Sequence, residues 1–215
     1  MHSAAASSGL KLASVSLSLG TRQLLTIDET IPQGCVLTLM GESGSGKSSL
    51  LDFIAGFLAP AFTAEGKIVL NGRDITDTPP QNRRTGLMFQ SPLLFPHMTV
   101  LGNLLFALPA KGLTASQRRA EAEAALTEVG LEGLGERDPA TLSGGQQTRA
   151  ALMRLILAQP EALLLDEPFS SLDRARRQET RELVFSIARQ RNLPVLLVTH
   201  DPEDAEAAGG SVITL

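Results

Sequence analysis

The sequence predicts an α/β protein: a core of parallel strands, with an antiparallel β portion near its start and a helical subdomain inserted in its middle. Three patterns predict it. Short apolar runs at residues 36–40, 87–89, 162–165 and 195–198 are each followed by Gly, Ser, Asp or His signals, as buried parallel strands are when their carboxyl ends carry chemistry. Residues 10–70 alternate apolar and polar side chains between turns at Gly20-Thr21, Pro32-Gln33-Gly34 and Asn71-Gly72, a pattern of antiparallel strands. Residues 91–159 are mostly helical in character. There Thr114 and Gln117 are spaced as a capping box ahead of Ala122, Ala125, Leu126 and Val129 at helical intervals.

A chain of 215 residues that is 43% hydrophobic can bury the core of one domain. Residues 1–9 are rich in Ser and Ala and lack a basic stretch ahead of an apolar one, so they read as a loose tail rather than a leader. Residues 10–215 read as a single domain, with the helical subdomain at about 91–159. No internal repeat is present. No apolar run approaches the ~18 residues a membrane-crossing helix needs, so a soluble or peripheral protein is expected. The net charge of −4, with Lys and Arg dispersed, offers no basic surface to a phosphate backbone, and no nucleic-acid partner is expected. The single cysteine, Cys35, excludes an internal disulfide and a cysteine metal cluster. Its apolar neighbours assign it to core packing.

Gly41-Glu42-Ser43-Gly44-Ser45-Gly46-Lys47-Ser48 fits the pattern G-x-x-x-x-G-K-[ST] and stands between an apolar run and the helix-like residues 49–56. The glycines let successive backbone N–H groups face one anionic centre, and the helix start adds its positive end. Lys47 is placed for β/γ-phosphates and the Ser48 hydroxyl for Mg²⁺. Ser49 follows in the same first turn. By itself this pattern establishes nucleotide phosphate binding and no particular reaction.

Further along stands Leu142-Ser143-Gly144-Gly145-Gln146, then a helix-like stretch, then Ala162-Leu163-Leu164-Leu165-Asp166-Glu167-Pro168. With these motifs, and the one-helix spacing between them, the chain resembles the ABC ATPase family from about residue 10 to its last residue. The resemblance implies a P-loop NTPase (RecA-like) core, and ATP and Mg²⁺ as ligands. Asp166 ends an apolar run, where a carboxylate can hold the Mg²⁺ shell. Glu167, the next residue, points elsewhere and can orient and deprotonate the attacking water. Ser143, Gly144, Gly145 and Gln146 open a helix and form a second anion-facing cradle. The resemblance implies that two copies pair head to tail, each cradle covering the γ-phosphate held by the other copy. It also implies that Gln90 senses Mg²⁺ and water, that Asp173 crosses the dimer interface and that His200 contacts the γ-phosphate.

The chain departs from the family pattern in three places. It has no Tyr or Trp and no Phe before Phe53, so the aromatic residue that the family stacks on adenine is missing, and Leu19 is expected to offer an apolar contact in its place. Glu42 puts a carboxylate beside an anion site and is expected to face solvent. Gln147-Thr148-Arg149 follows the cradle where a second basic residue is frequent.

The stretch Phe89-Gln90-Ser91-Pro92-Leu93-Leu94-Phe95-Pro96-His97-Met98-Thr99-Val100, with Asn103 after it, resembles ATPases of bacterial importers for iron(III), sulfate, molybdate, thiamine or polyamines, as does Arg137-Asp138-Pro139-Ala140-Thr141. That resemblance implies a separate transmembrane permease as partner, a substrate-binding protein as an indirect one, and a place on the cytoplasmic face of the inner membrane. Leu94, Phe95 and Met98 are expected to contact a short permease helix. The alternative is a soluble ABC ATPase without a transport role. Against it, the interval from Lys47 to Ser143 is too short for the coiled-coil arm such proteins tend to carry.

Overall fold

The computed structural model describes residues 8–109 and 112–215, and the chain divides into two compact units. One unit comprises the chain up to Leu87 with Glu161–Glu167 and Phe185–Leu215; the other comprises Met88–Pro160 and Pro168–Val184.

In the first unit the antiparallel sheet contains β1 (Gly9–Leu19), β2 (Arg22–Pro32), β4 (Phe62–Leu70) and β5 (Arg73–Asp74), in the order β2-β1-β4-β5. Its alternating side chains send Leu10, Leu12, Leu17, Ile27, Ile31, Ile68 and Leu70 into the core, the burial that a two-residue period dictates. The turn between β1 and β2 has only two residues. Gly20 takes φ 59°, the left-handed value that a two-residue hairpin turn needs at its first central position and that glycine reaches without a Cβ penalty.

The second sheet contains β3 (Val36–Met40), β6 (Thr85–Met88), β7 (Ala162–Asp166), β8 (Val195–Val198) and β9 (Ser211–Thr214), in the order β6-β7-β8-β3-β9, with β7, β8, β3 and β9 pairing in parallel. Strand β3 pairs with β8 on one side and β9 on the other. Both of its faces are covered, which is why the consecutive residues Val36, Leu37, Thr38 and Leu39 are all buried. Helix α1 (Lys47–Ala55) follows β3 and buries Leu50, Leu51 and Ile54 in the core that both sheets share. Helix α6 (Pro202–Ala208) follows β8.

The expected strand at 87–89 lies instead at Thr85–Met88, because Phe89 is exposed beyond it. Cys35 corrects the expectation of core packing: it is exposed in the turn before β3, where its N–H donates to the carbonyl of Pro32. The apolar run counted toward it begins one residue later. Residues 1–7 of the expected tail lie outside the described residues, and Gly9 already belongs to β1.

The second unit is helical. It holds α2 (Val100–Ala107), α3 (Ala115–Glu128), α4 (Gly144–Leu157) and the start of α5 (Arg174–Gln190), whose residues from Phe185 onward belong to the first unit. Thr114 and Gln117 form the reciprocal capping box at the start of α3. Among the described residues no helix is long and apolar enough to cross a membrane.

Candidate active site

The first unit brings three chain segments to the carboxyl ends of its parallel strands. After β3 comes the glycine loop, at the end of β7 stand Asp166 and then Glu167, and after β8 come Thr199 and His200. This end of a parallel sheet is where ligands collect, because the loops that leave it converge there.

Gly46 is the N-cap of α1, with φ 93°, and no side chain caps the helix. The first turn contains no acidic residue, so its amides and the positive end of the helix face outward, ready for an anion. Lys47 is buried, and its ammonium bonds back onto the loop: it donates to the carbonyls of Gly41 at 2.9 Å and Glu42 at 2.7 Å and to Ser45 Oγ at 3.3 Å. The lysine thus holds the loop closed with a set of bonds that a phosphate can replace. Glu42, Ser43, Gly44 and Ser48 are exposed and Ser49 is half-buried. Glu42 therefore meets solvent, as a carboxylate beside an anion site should. An open cavity of about 660 Å³ is lined by residues 41–45, Arg22, Met40, His200, Thr214 and Leu215. Leu19 stands at the end of β1 with an exposed side chain.

Ser48 Oγ donates to Asp166 Oδ1 at 3.0 Å. Burial pushes the Asp166 carboxyl above its ordinary value; the Ser48 bond and Lys47 pull it down, and the nearby Glu167 and Asp52 carboxylates add to the upward push. A half-buried carboxylate short of positive charge, beside a hydroxyl oxygen, is a donor set that suits a hard divalent cation such as Mg²⁺.

Glu167 has φ 44°, a left-handed value that costs a residue with a Cβ about 1 kcal/mol or more. Its N–H donates to the carbonyl of Val198, which ties the strained residue to the neighbouring strand. His200 Nδ1 lies 3.1 Å from Glu167 Oε1. The histidine is exposed, and the turn behind it is fixed: Thr199 Oγ1 donates to buried Asp204 at 2.8 Å, and Asp201 caps α6 through Glu203 N–H. Sequence reasoning placed Glu167 and His200 at two strand ends but did not foresee that they touch.

The remaining candidates lie in the second unit. Ser143 is the N-cap of α4 in a full capping box: its N–H donates to Gln146 Oε1 at 2.9 Å, and its hydroxyl accepts from Gln146 N–H at 3.4 Å. Gly144 is exposed. Gly145 is buried, and a Cβ there would stand 3.3 Å from Thr180 Oγ1, so glycine lets α4 approach α5 closely. Asp173 accepts from Arg176 N–H at 3.1 Å at the start of α5. Gln90 donates from Nε2 to Ser170 Oγ at 3.1 Å.

In the same unit a groove of about 440 Å³ is lined by residues 91–94 and Pro96 together with Pro139, Ala140, Gly144, Gln147 and Ser171. Buried Asn103 shapes its wall. Its carboxamide accepts from Phe95 N–H at 2.7 Å and donates to the carbonyls of Phe95 at 3.1 Å and Thr99 at 3.0 Å. Arg154 adds a bond to the carbonyl of Leu93 at 2.9 Å and lies 5.0 Å from the centre of the Phe95 ring. The sequence singled out Asn103 by resemblance only, and nothing in it marked Arg154 as the partner.

Residues 24–170 match the family described as ABC transporter. The uncharacterized ABC transporter ATP-binding protein YnjD of Escherichia coli (strain K12) is 48% identical over 199 residues, 92% of this chain and 91% of that protein. The thiamine import ATP-binding protein ThiQ of Cereibacter sphaeroides is 50% identical over 182 residues, 84% of this chain and 77% of that protein. The Fe(3+) ions import ATP-binding protein FbpC of Brucella abortus is 39% identical over 186 residues, 86% of this chain and 52% of that protein. Among solved structures, the dimeric ATP-binding cassette MJ0796 in a post-hydrolysis state with ADP and Pi superposes with a TM-score of 0.79 at 29% identity, covering 96% of this chain and 94% of that one.

Proposed function

Because the chain belongs to the ABC transporter family, as an ATP-binding and ATP-hydrolysing subunit, we propose that it pairs head to tail with a second copy and drives a separate importer permease from the cytoplasmic face of the inner membrane. The observation that carries this reading is the convergence of Lys47, the Ser48–Asp166 pair and the Glu167–His200 pair in one unit.

Each residue has a task that its surroundings favour. The triphosphate lies along residues 41–49, held by the loop amides and by Lys47. Ser48 and Asp166 would hold Mg²⁺, which would supply charge neutralisation at the phosphates, and Gln90 keeps the Mg²⁺- and water-sensing role that the resemblance implies. Glu167 is the general base for water, and His200 holds it in place while meeting the γ-phosphate. In the second copy, Ser143, Gly144, Gly145 and Gln146 face the same γ-phosphate. The Ser143 hydroxyl oxygen accepts a hydrogen bond from Gln146 N–H within its capping box and keeps its own proton to donate. Asp173 serves the contact between copies, and Leu19 borders the base.

The importer direction is supported by the thiamine and Fe(3+) relatives, whose names concern import. The same relatives weigh against a soluble ATPase without a transport role. A short permease helix is the occupant we assign to the groove beside Leu94, with a substrate-binding protein acting through the permease.

Glu167→Gln tests the core of this reading. The variant should bind ATP, lose at least ~100-fold in turnover and accumulate as a dimer in size-exclusion chromatography with ATP. Turnover close to that of the unaltered protein would remove Glu167 as the base. Ser143→Arg should bind ATP as a monomer and fail to dimerise; normal hydrolysis by it would remove the shared site.

A further inference from the structure

We propose that Arg22 is the residue that recognises the nucleotide base, its planar guanidinium stacking on the ring where this chain has no aromatic side chain to offer. The inference rests on the phosphate-loop reading above and adds a specificity-determining residue to it.

Three observations carry it. Arg22 lines the same 660 Å³ cavity as the glycine loop, and no Phe, Tyr or Trp lines that cavity. Arg22 is exposed and makes no hydrogen bond or ion pair among the described residues, so its guanidinium is free to turn toward a ligand. It also pairs directly with Leu19 across the two-residue turn, which puts both side chains on one face of the hairpin. An aliphatic surface 45% exposed, next to an unpaired planar cation, forms a flat platform with an apolar flank.

The hairpin cannot drift away from the loop. Between Leu17↔Leu25 and Ser18↔Gln23 the register shifts, leaving Leu24 as an extra residue. Its side chain fills the space over Gly46: a Cβ on that glycine would meet Leu24 Cβ at 3.1 Å and Leu25 Cδ2 at 3.2 Å. The bulge therefore fixes the hairpin tip, and Arg22 with it, above the phosphate loop.

A guanidinium in this place could serve a phosphate or a base. Lys47 and the uncapped start of α1 already supply positive charge to the phosphates, and Leu19 is a poor neighbour for an anion but a good one for a ring. Arginine stacks on nucleobases by its plane as well as its charge. Such a platform accepts any purine face, so ATP and GTP should bind within about threefold of each other, since stacking tolerates changes at the ring edge.

The test compares ATP with inorganic tripolyphosphate, both with Mg²⁺, by calorimetry on the full chain. Arg22→Ala should weaken ATP about tenfold, the size of one good cation–π contact, and leave tripolyphosphate unchanged. Arg22→Trp should restore ATP affinity, whereas Arg22→Lys, which keeps the charge and loses the plane, should not. Equal weakening of both ligands by Arg22→Ala, with rescue by lysine, would make Arg22 a phosphate ligand and overturn the proposal. Unchanged ATP affinity in Arg22→Ala would overturn it as well. Lys47→Ala separates the two levels: if it retained full affinity for both ligands, the phosphate-loop reading itself would fall, whatever Arg22 does.

Discussion

The hydroxyl of Ser48 donates a 3.0 Å hydrogen bond to Oδ1 of Asp166, joining the first turn of α1 to the end of β7. The bond links two groups assigned to one cation, and it only partly offsets the burial that raises the Asp166 carboxyl above its ordinary 3.8. A raised carboxyl means that the folded state holds the proton more tightly than the unfolded chain. Its contribution to stability is full below the unfolded value and is lost as pH rises through the folded one. Without nucleotide, Asp166→Asn should therefore be more stable than the unaltered protein at pH 7, and the advantage should shrink toward pH 4. Thermal melts at the two values check this. The same variant should lose Mg²⁺-dependent hydrolysis by ~10-fold or more.

Glu167 holds a left-handed backbone beside the chemistry assigned to it. Glycine adopts that conformation without the Cβ contact, so Glu167→Gly should be about 1 kcal/mol more stable than Glu167→Ala. Both should be inactive. Denaturant unfolding of the pair isolates the backbone term, because neither carries the carboxylate. Equal stabilities would mean that the left-handed backbone carries no strain.

How far the sequence could reveal these features depends on how local their causes are. The glycine loop, the runs at 36–40 and 195–198 and the helix start at residues 143–146 follow from neighbouring residues and were legible. Strand β9 was not: Ser211–Thr214 is short and largely exposed, and only its pairing with β3 makes it a strand. Cys35 was misassigned because an apolar run does not mark the residue at which burial begins. The Glu167–His200 contact depends on β7 and β8 lying side by side, a fact of topology with no local signature. Arg83 was overlooked for a related reason, since a pair of arginines ahead of a short strand looks like surface.

In the structure Arg83 is only 6% exposed and its guanidinium serves four carbonyls: Thr78 at 2.6 Å, Phe53 at 2.7 Å, Ile54 at 2.9 Å and Thr76 at 2.5 Å. Two of these belong to the last turn of α1, where helical carbonyls lack partners and a cation is favoured. Arg83→Met should keep much of the volume but take the guanidinium away from all four oxygens, of which that of Phe53 keeps the Gly56 N–H, destabilising the protein by about 3 kcal/mol. Because α1 begins at the phosphate loop, ATP affinity should fall as well. A denaturation midpoint equal to that of the unaltered protein would show that water replaces the guanidinium at no cost.

Asn103 offers a last and separate test, since it acts on the groove wall and touches none of the groups assigned to nucleotide. Its carboxamide is fully buried and holds Phe95 through both N–H and carbonyl. Asn103→Leu is nearly isosteric, yet it strands the Phe95 N–H, at a cost of about 2 kcal/mol, while the carbonyls of Phe95 and Thr99 keep their backbone donors. The loss should concentrate in residues 91–99, where hydrogen exchange would rise, while ATP binding stays unchanged. If the groove receives a permease helix, transport should fall further than basal hydrolysis, because a loosened wall gives up the ordering that docking requires. Equal losses in transport and hydrolysis would place the effect of Asn103 in the nucleotide site instead.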